Sequence, residues 1–254
     1  MKMKSRKPDY DLDAPGLVRG FLLGGPALVA TGWLLARWGS TRNHSFPAGV
    51  SISLGTAMFW TGIGLFLESF LLMESSYYGK FRARDLLLDG LRLRGDEKVL
   101  DVGCGHGLLL ISAAKRLPRG RAFGIDLWSQ VDQGNNSKEA TLANAALEGV
   151  ADRVEVHTGD MRKLPFPDAS FDVAIANLAI HNVPSREGRR QAISEIVRVL
   201  KPGGRVALMD FKKVGDYVSD LRAFGLPGAR ASGPVFWIFP PVRIARAQKP
   251  AKSA

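Results

Sequence analysis

The chain has 254 residues and a formal net charge of +11, enough for one domain of good size with an appendage. Its single cysteine, Cys104, excludes an intrachain disulfide, and with neither CxxC nor His-x-x-x-His spacing present no metal site is expected. The positive charge points to an anionic contact, nucleic acid or an acidic membrane surface, or to a plain basic solvated face.

The N-terminal third is dominated by two uncharged stretches, "GFLLGGPALVATGWLLA" from Gly20 and "SFPAGVSISLGTAMFWTGIGLFL" from Ser45. A membrane helix needs about 20 mainly apolar residues. The pattern predicts helices over about 17–38 and 46–72, joined by the short "RWGSTRNH" as a transmembrane hairpin. Trp33, Trp38 and Trp60 would serve as interfacial anchors. Gly20 and Gly24 share a small-xxx-small spacing that lets helices approach closely. Lys2, Lys4, Arg6 and Lys7 precede the hairpin and Lys80, Arg82, Arg84, Arg92 and Arg94 follow it, against Arg37 and Arg42 in the turn. That excess places both termini in the cytoplasm. The competing reading is a soluble helical hairpin packed on the following domain. Residues 1–75 thus form the membrane hairpin and 76–254 a second domain.

That second domain opens with "ESSYYGKFRARDLLLDGLRL", an amphipathic helix. Strands and helices then alternate: "EKVLDVG", "LLLISAAKRL", "RAFGIDLW", "SKEATLANAALEGV", "DRVEVHTGD", "FDVAIANLAI", "REGRRQAISEIVRVL" with "KPGG" as its stop, and "RVALMDF". This rhythm predicts an α/β fold with a doubly wound, mostly parallel sheet, helices on both faces. The end, "GPVFWIFPPVRIARAQ", reads as two strands with a Pro-Pro break, an antiparallel hairpin closing the sheet.

In "VLDVGCGHG" Gly103, Gly105 and Gly107 stand at every second position after an apolar strand. In such sheets ligands sit beyond the strand ends at the switch point, where a helix N-terminus favours negative charge and glycines admit close backbone approach. Asp126 ends the next strand, about 20 residues on, where an acid typically holds a ribose diol. The spacing is G-x-G-x-G, not the G-x-G-x-x-G of dinucleotide folds. Asp101, just ahead of the first glycine, suits a cationic amine better than a pyrophosphate. With Asp160, three acids stand at successive strand ends.

From Tyr77 to Lys249 the chain resembles the class I S-adenosylmethionine-dependent methyltransferases, of the methyltransferase type 11/25-like kind. The resemblance rests on "VLDVGCGHG", "GIDLW", "GDMRKLPFPDASFDVAIAN" and "RVLKPGGRVALMDF". It implies a Rossmann-like domain with S-adenosyl-L-methionine as cofactor. Gly103, Gly105 and Gly107 would line the methionine and ribose, and Asp101 would bind near the methionine amine, directly or through water. Asp126 would take the ribose hydroxyls. Leu127 or Trp128 would pack on adenine, Asp160 would accept from the adenine amino group, and Met161 would lie beside the ring. Asn177 would lie near the methionine and the transferring methyl.

Methyl transfer from a sulfonium is an in-line displacement, so positioning supplies much of the acceleration. A base is needed only if the acceptor loses a proton, and the candidate is His181 in "NLAIHNVPS", with a supporting role behind the site or a structural one as the alternative. Tyr77 and Tyr78 would close over the cofactor or simply pack. Cys104 reads as a small filler and His106 as a solvent-facing loop residue. "NLAI" replaces the "NPPY" of many amino and nucleobase methyltransferases, and no separate nucleic-acid module is present, so nucleic acid is not expected as partner. The hairpin points to a small lipophilic acceptor. "PVFWIFPP" could touch the bilayer, line the acceptor pocket, or serve as hairpin core. A non-catalytic cofactor-binding scaffold and a nicotinamide-dependent oxidoreductase are the competing functions.

Overall fold

The computed structural model describes residues 8–10, 15–41, 48–129 and 136–251. Lys2, Lys4, Arg6, Lys7 and Arg42, which carry part of the charge asymmetry, lie outside them. The chain divides into two compact units, Leu12–Tyr78 and Gly79–Ala254, the latter together with Met1–Asp11.

The first unit is a helical hairpin, α1 (Pro15–Thr41) and α2 (Ala48–Glu74). At about 1.5 Å rise per residue, 27 residues reach about 40 Å, longer than the hydrocarbon core of a bilayer. Both helices are long and apolar enough to cross a membrane. Their outward faces carry Leu23, Trp33, Leu34, Trp60, Leu67 and Phe70, all exposed. The helices touch through Gly25 and Gly62, and through Gly32 and Gly55, where backbone lies so close that no side chain fits. Gly20 and Gly24 do not make this contact. Nothing lies within 4 Å of a Cβ built on either, because the hairpin axis runs along the neighbouring helical face.

Helix α2 continues through a π-helical turn, Ser75–Gly79, into α3 (Lys80–Asp89). Ala83, Leu87 and Leu88 of α3 are buried, at the spacing of one helical face. Lys80 is buried too, and does not join the exposed basic flank: its ammonium donates to the Tyr10 carbonyl at 2.9 Å. Asp9 and Tyr10 therefore group with the sheet unit. Asn144 fixes the Asp9 backbone by accepting from its N–H at 2.9 Å and donating to its carbonyl at 2.6 Å, and the Tyr10 hydroxyl donates to Glu148 at 3.0 Å.

The sheet runs β3-β2-β1-β4-β5-β7-β6. Its strands are β1 (Lys98–Val102), β2 (Arg121–Asp126), β3 (Val154–Thr158), β4 (Phe171–Asn177), β5 (Leu200–Asp210), β6 (Arg230–Ala231) and β7 (Arg243–Gln248). The first five are parallel, and β7 is antiparallel to both β5 and β6. Between them run α4 (Leu108–Lys115), α5 (Lys138–Leu147), α6 (Arg186–Val199) and α7 (Val214–Ala223). Successive residues of β4 face opposite layers. Val173 and Ile175 pack with Leu87, Leu110 and Ile111 on one side, while Ala174 and Ala176 pack with Ile193, Ile196 and Tyr217 on the other. This is the buried parallel sheet that the apolar strand runs predict. The chain reverses its winding direction between β1 and β4, which sets the switch point there.

Two local readings are corrected. "KPGG" bulges out of the β4/β5 ladder, whose register jumps from Phe171↔Leu200 to Val173↔Arg205, instead of merely stopping α6. The two C-terminal strands expected from "GPVFWIFPPVRIARAQ" reduce to one, β7. Its partner β6 is a two-residue strand upstream, and residues 233–242 form an excursion closed by an isolated Val235–Val242 bridge. The prolines withhold the N–H groups that a ladder needs.

Candidate functional site

The strand ends line up along one edge of the sheet. Asp126, Asn177 and Asp210 close β2, β4 and β5, and Asp101 is the last residue but one of β1; these strands are consecutive neighbours. The turn after β1 is pinned from below, Gly103 and Cys104 both donating to the Ile125 carbonyl at 2.8 and 3.2 Å. Gly103, Gly105 and Gly107 all adopt left-handed φ, at 76°, 49° and 85°. For two of them the close neighbour is the protein itself. A Cβ on Gly103 would collide with the Ala179 methyl, and one on Gly107 would stand 2.9 Å from Thr141 Cγ2. Helix α5 ties the same turn from the side. Thr141 donates to the Gly105 carbonyl at 2.6 Å and Asn144 to the His106 carbonyl at 3.0 Å. Neither residue stands out in the sequence, since both sit inside an ordinary helical pattern. His106 itself is buried, because this clamp draws the turn inward.

The Asp101 carboxylate is buried without compensation. It is 1% exposed and neither oxygen has a hydrogen-bond partner. Burial, helped by the nearby Asp126 charge, pushes its pKa up to about 8. The Leu110 N–H at the head of α4 pulls the other way without reaching hydrogen-bond geometry. Asn177 Oδ1 at the end of β4 is also buried and without a partner. Buried polar groups are nearly always satisfied. Two acceptor groups left open at the switch point fit a ligand that brings donors, such as an ammonium.

Asp126 has its carboxylate held in place. Oδ2 accepts from Gly105 N–H at 2.9 Å and Oδ1 from Trp128 N–H at 2.7 Å. Trp128 adopts φ 60° and its indole donates to Thr158 at 2.7 Å, with the ring packed on the core. Leu127 is 60% exposed. Asp160 is gripped by the Arg162 guanidinium at 2.6–3.0 Å, which holds its carboxyl below the usual range. Met161 lies beside the glycine turn, its Cε 3.6 Å from where a Gly103 Cβ would stand. Cys104 is buried against Gly124, and burial pushes its thiol well up, as suits a filler.

His181 stands in the short helical turn Ile180–Asn182 after β4. Its Nδ1 is 2.9 Å from Asp210 Oδ1, an ion-pair distance without hydrogen-bond geometry. Asp210 is buried. Its Oδ1 accepts from Phe211 N–H at 2.8 Å and its Oδ2 from the Tyr217 hydroxyl at 2.9 Å. Burial and the Asp210 charge push the Tyr217 hydroxyl far up, so it stays a donor. The Phe211 ring meets the imidazole edge-on at 4.7 Å. Asp210, Phe211 and Tyr217 escape a sequence reading. The one signal is an acid at the end of the fifth strand, in line with the acids of the first two.

The family model described as a methyltransferase domain matches residues 100–208. The chain is 38% identical over 131 residues to the 27-O-demethylrifamycin SV methyltransferase of Amycolatopsis mediterranei, covering 51% of this chain and 44% of that protein. It is 33% identical over 132 residues to a ubiquinone/menaquinone biosynthesis C-methyltransferase of Roseobacter denitrificans, covering 52% and 49%. The chain spans about half the length of such curated relatives or less. Among solved structures it shares its fold with the [4+2]-cyclase SpnF, at TM-score 0.55 and 23% identity over 67% of this chain and 82% of that one. It also shares it with a geranyl diphosphate methyltransferase, at TM-score 0.54 and 15% identity over 66% and 78%. With the ordered strand-end acids, the glycine turn and the antiparallel last strand, these findings agree that residues 100–208 are similar to methyltransferase domains and that the sheet unit has the class I methyltransferase fold.

Proposed function

We propose that this protein is a membrane-anchored methyltransferase that moves the methyl group of S-adenosyl-L-methionine to a small lipophilic acceptor. The observation that carries the cofactor assignment is the buried, unpartnered Asp101 carboxylate beside the glycine turn. Asp101 and Asn177 would hold the amino-acid end, directly or through water. Asp126, fixed by two backbone N–H groups, would take the ribose hydroxyls. Trp128 or Leu127 would cover the adenine, with Asp160 and Met161 at its edge. When bound, the sulfonium supplies an already activated methyl group, so the protein's share is placement and exclusion of water. His181 would accept the acceptor's proton at Nε2 wherever the reaction releases one. Asp210 keeps the proton on Nδ1 and turns the ring, and the Tyr217 hydroxyl holds Asp210.

The lipophilic acceptor rests on the hairpin. Two 27-residue helices with apolar outer faces suit lipid better than water. The basic residues outside the hairpin outnumber those in its turn, which puts the sheet domain and both termini on the cytoplasmic side. The relatives' names, a rifamycin and quinone biosynthesis among them, are consistent with this class of acceptor. The test incubates the full chain in its membrane with methyl-labelled cofactor. Label moving into the organic-extractable lipid fraction supports the reading. Label confined to protein or water-soluble products overturns it.

A further inference from the structure

The excursion 233–242 has no part in the site above. Val242 and Ile238 are buried and root it in the core, while Phe236 is 76% exposed and Trp237 is 45% exposed. A hairpin core would bury these rings, so that reading fails, and the described residues leave Phe236 largely and Trp237 about half uncovered. The tip is fixed to one place. A Cβ on Gly79 would collide with the Trp237 carbonyl oxygen, so the loop lies tight against the residue where the chain enters the sheet domain from α2. The segment's own charge has one sign. From Leu226 to Lys249 the sequence holds Arg230, Arg243, Arg246 and Lys249 and no acid. Arg230 and Arg243 are exposed, and neither has an ion-pair partner among the described residues.

We infer that the Phe236–Trp237 loop is a second membrane contact, seating the sheet domain on an anionic lipid surface. Exposed Trp and Phe beside unpaired arginines match a bilayer interface, where rings sit at headgroup depth and cations meet anionic lipid. The proposal extends the membrane reading above, since Gly79 follows directly on the apolar α2 segment. It would hold the domain close to the layer that dissolves a lipophilic acceptor.

The test uses the full chain in nanodiscs of mixed phosphatidylcholine and phosphatidylglycerol, with single labelling sites for an environment-sensitive fluorophore. Cys104 is buried with its thiol pushed up and stays unlabelled. The sites are Phe236→Cys or Trp237→Cys in the loop, Trp33→Cys in the hairpin, and Leu147→Cys on α5, at the opposite edge of the sheet. Nitroxide-bearing lipids should quench the loop and hairpin labels severalfold more than the α5 label. A loop label quenched no more than the α5 label overturns the inference; if the hairpin label is quenched in that case, the anchor stands alone. A quenched loop beside an unquenched hairpin supports the loop contact and overturns the anchor. Phosphatidylglycerol should strengthen loop quenching severalfold over phosphatidylcholine alone. Equal quenching in the two lipids overturns the role of Arg230 and Arg243.

Discussion

His181 Nδ1 stands 2.9 Å from Asp210 Oδ1, and the other oxygen of that carboxylate accepts from the Tyr217 hydroxyl at 2.9 Å. The three side chains come from the loop after β4, the end of β5 and helix α7. In the proposed mechanism this chain of contacts would favour the Nδ1-protonated imidazole and leave Nε2 as the acceptor.

Asp210→Asn should therefore lower methyl transfer to a proton-releasing acceptor by about a hundredfold, within the usual worth of general base catalysis. Affinity for S-adenosylhomocysteine should stay the same. Nitrogen-15 NMR of the full chain should show His181 protonated on Nδ1 in the wild type and redistributed in the variant. A purely structural Asp210 would lower stability and leave the tautomer alone.

The Asp101 carboxyl has a definite pH signature. Its pKa of about 8 lies above the ordinary carboxylate value, so the folded protein holds this proton where the unfolded chain has lost it. The ligand-free protein should thus lose stability as pH rises from about 4 toward about 8. A bound ammonium favours the charged carboxylate, so cofactor binding should release a proton below about pH 8 and strengthen as pH rises to it. Calorimetry near pH 6.5 in two buffers of different ionisation enthalpy reads the release. Asp101→Asn should abolish it, and a buffer-independent heat in the wild type would sink the assignment.

Gly103→Ala should cost about 1–3 kcal/mol through its left-handed φ and the collision with Ala179. Adding Ala179→Gly should recover the steric part only. Equilibrium unfolding of the four proteins of this cycle separates the two. A loss under about 0.5 kcal/mol would show that the turn relaxes freely.

Asp126→Ala should weaken S-adenosylhomocysteine binding by more than about tenfold, or about 1.4 kcal/mol. The loss would have two sources, the proposed ribose contact and the two backbone N–H groups released. Asp126→Asn keeps one acceptor for the backbone and should lose less. Equal affinities for wild type and Ala variant would remove the ribose role.

Much of this site was legible because strand ends are legible. An apolar run that ends at or beside Asp101, Asp126 or Asn177 marks both the strand and the edge where a ligand would sit, since a buried parallel sheet leaves polar chemistry only at its edge. What was not legible depends on contacts between distant elements. Thr141 and Asn144 reach the glycine turn from a helix whose own pattern is ordinary. Gly103 answers to Ala179, 76 residues away, as much as to any ligand. The C-terminal aromatic run satisfies strand propensity, yet its prolines and its exposure override it. Gly20 and Gly24 have the spacing for helix contact, but the helical face is chosen by the partner helix.

The cofactor assignment is tested most directly by calorimetric titration of the detergent-solubilised full chain with S-adenosylhomocysteine, with NADH as the control. The first should bind with micromolar affinity and the second not at all. Absence of binding to S-adenosylhomocysteine, or equal binding of NADH, would overturn the assignment.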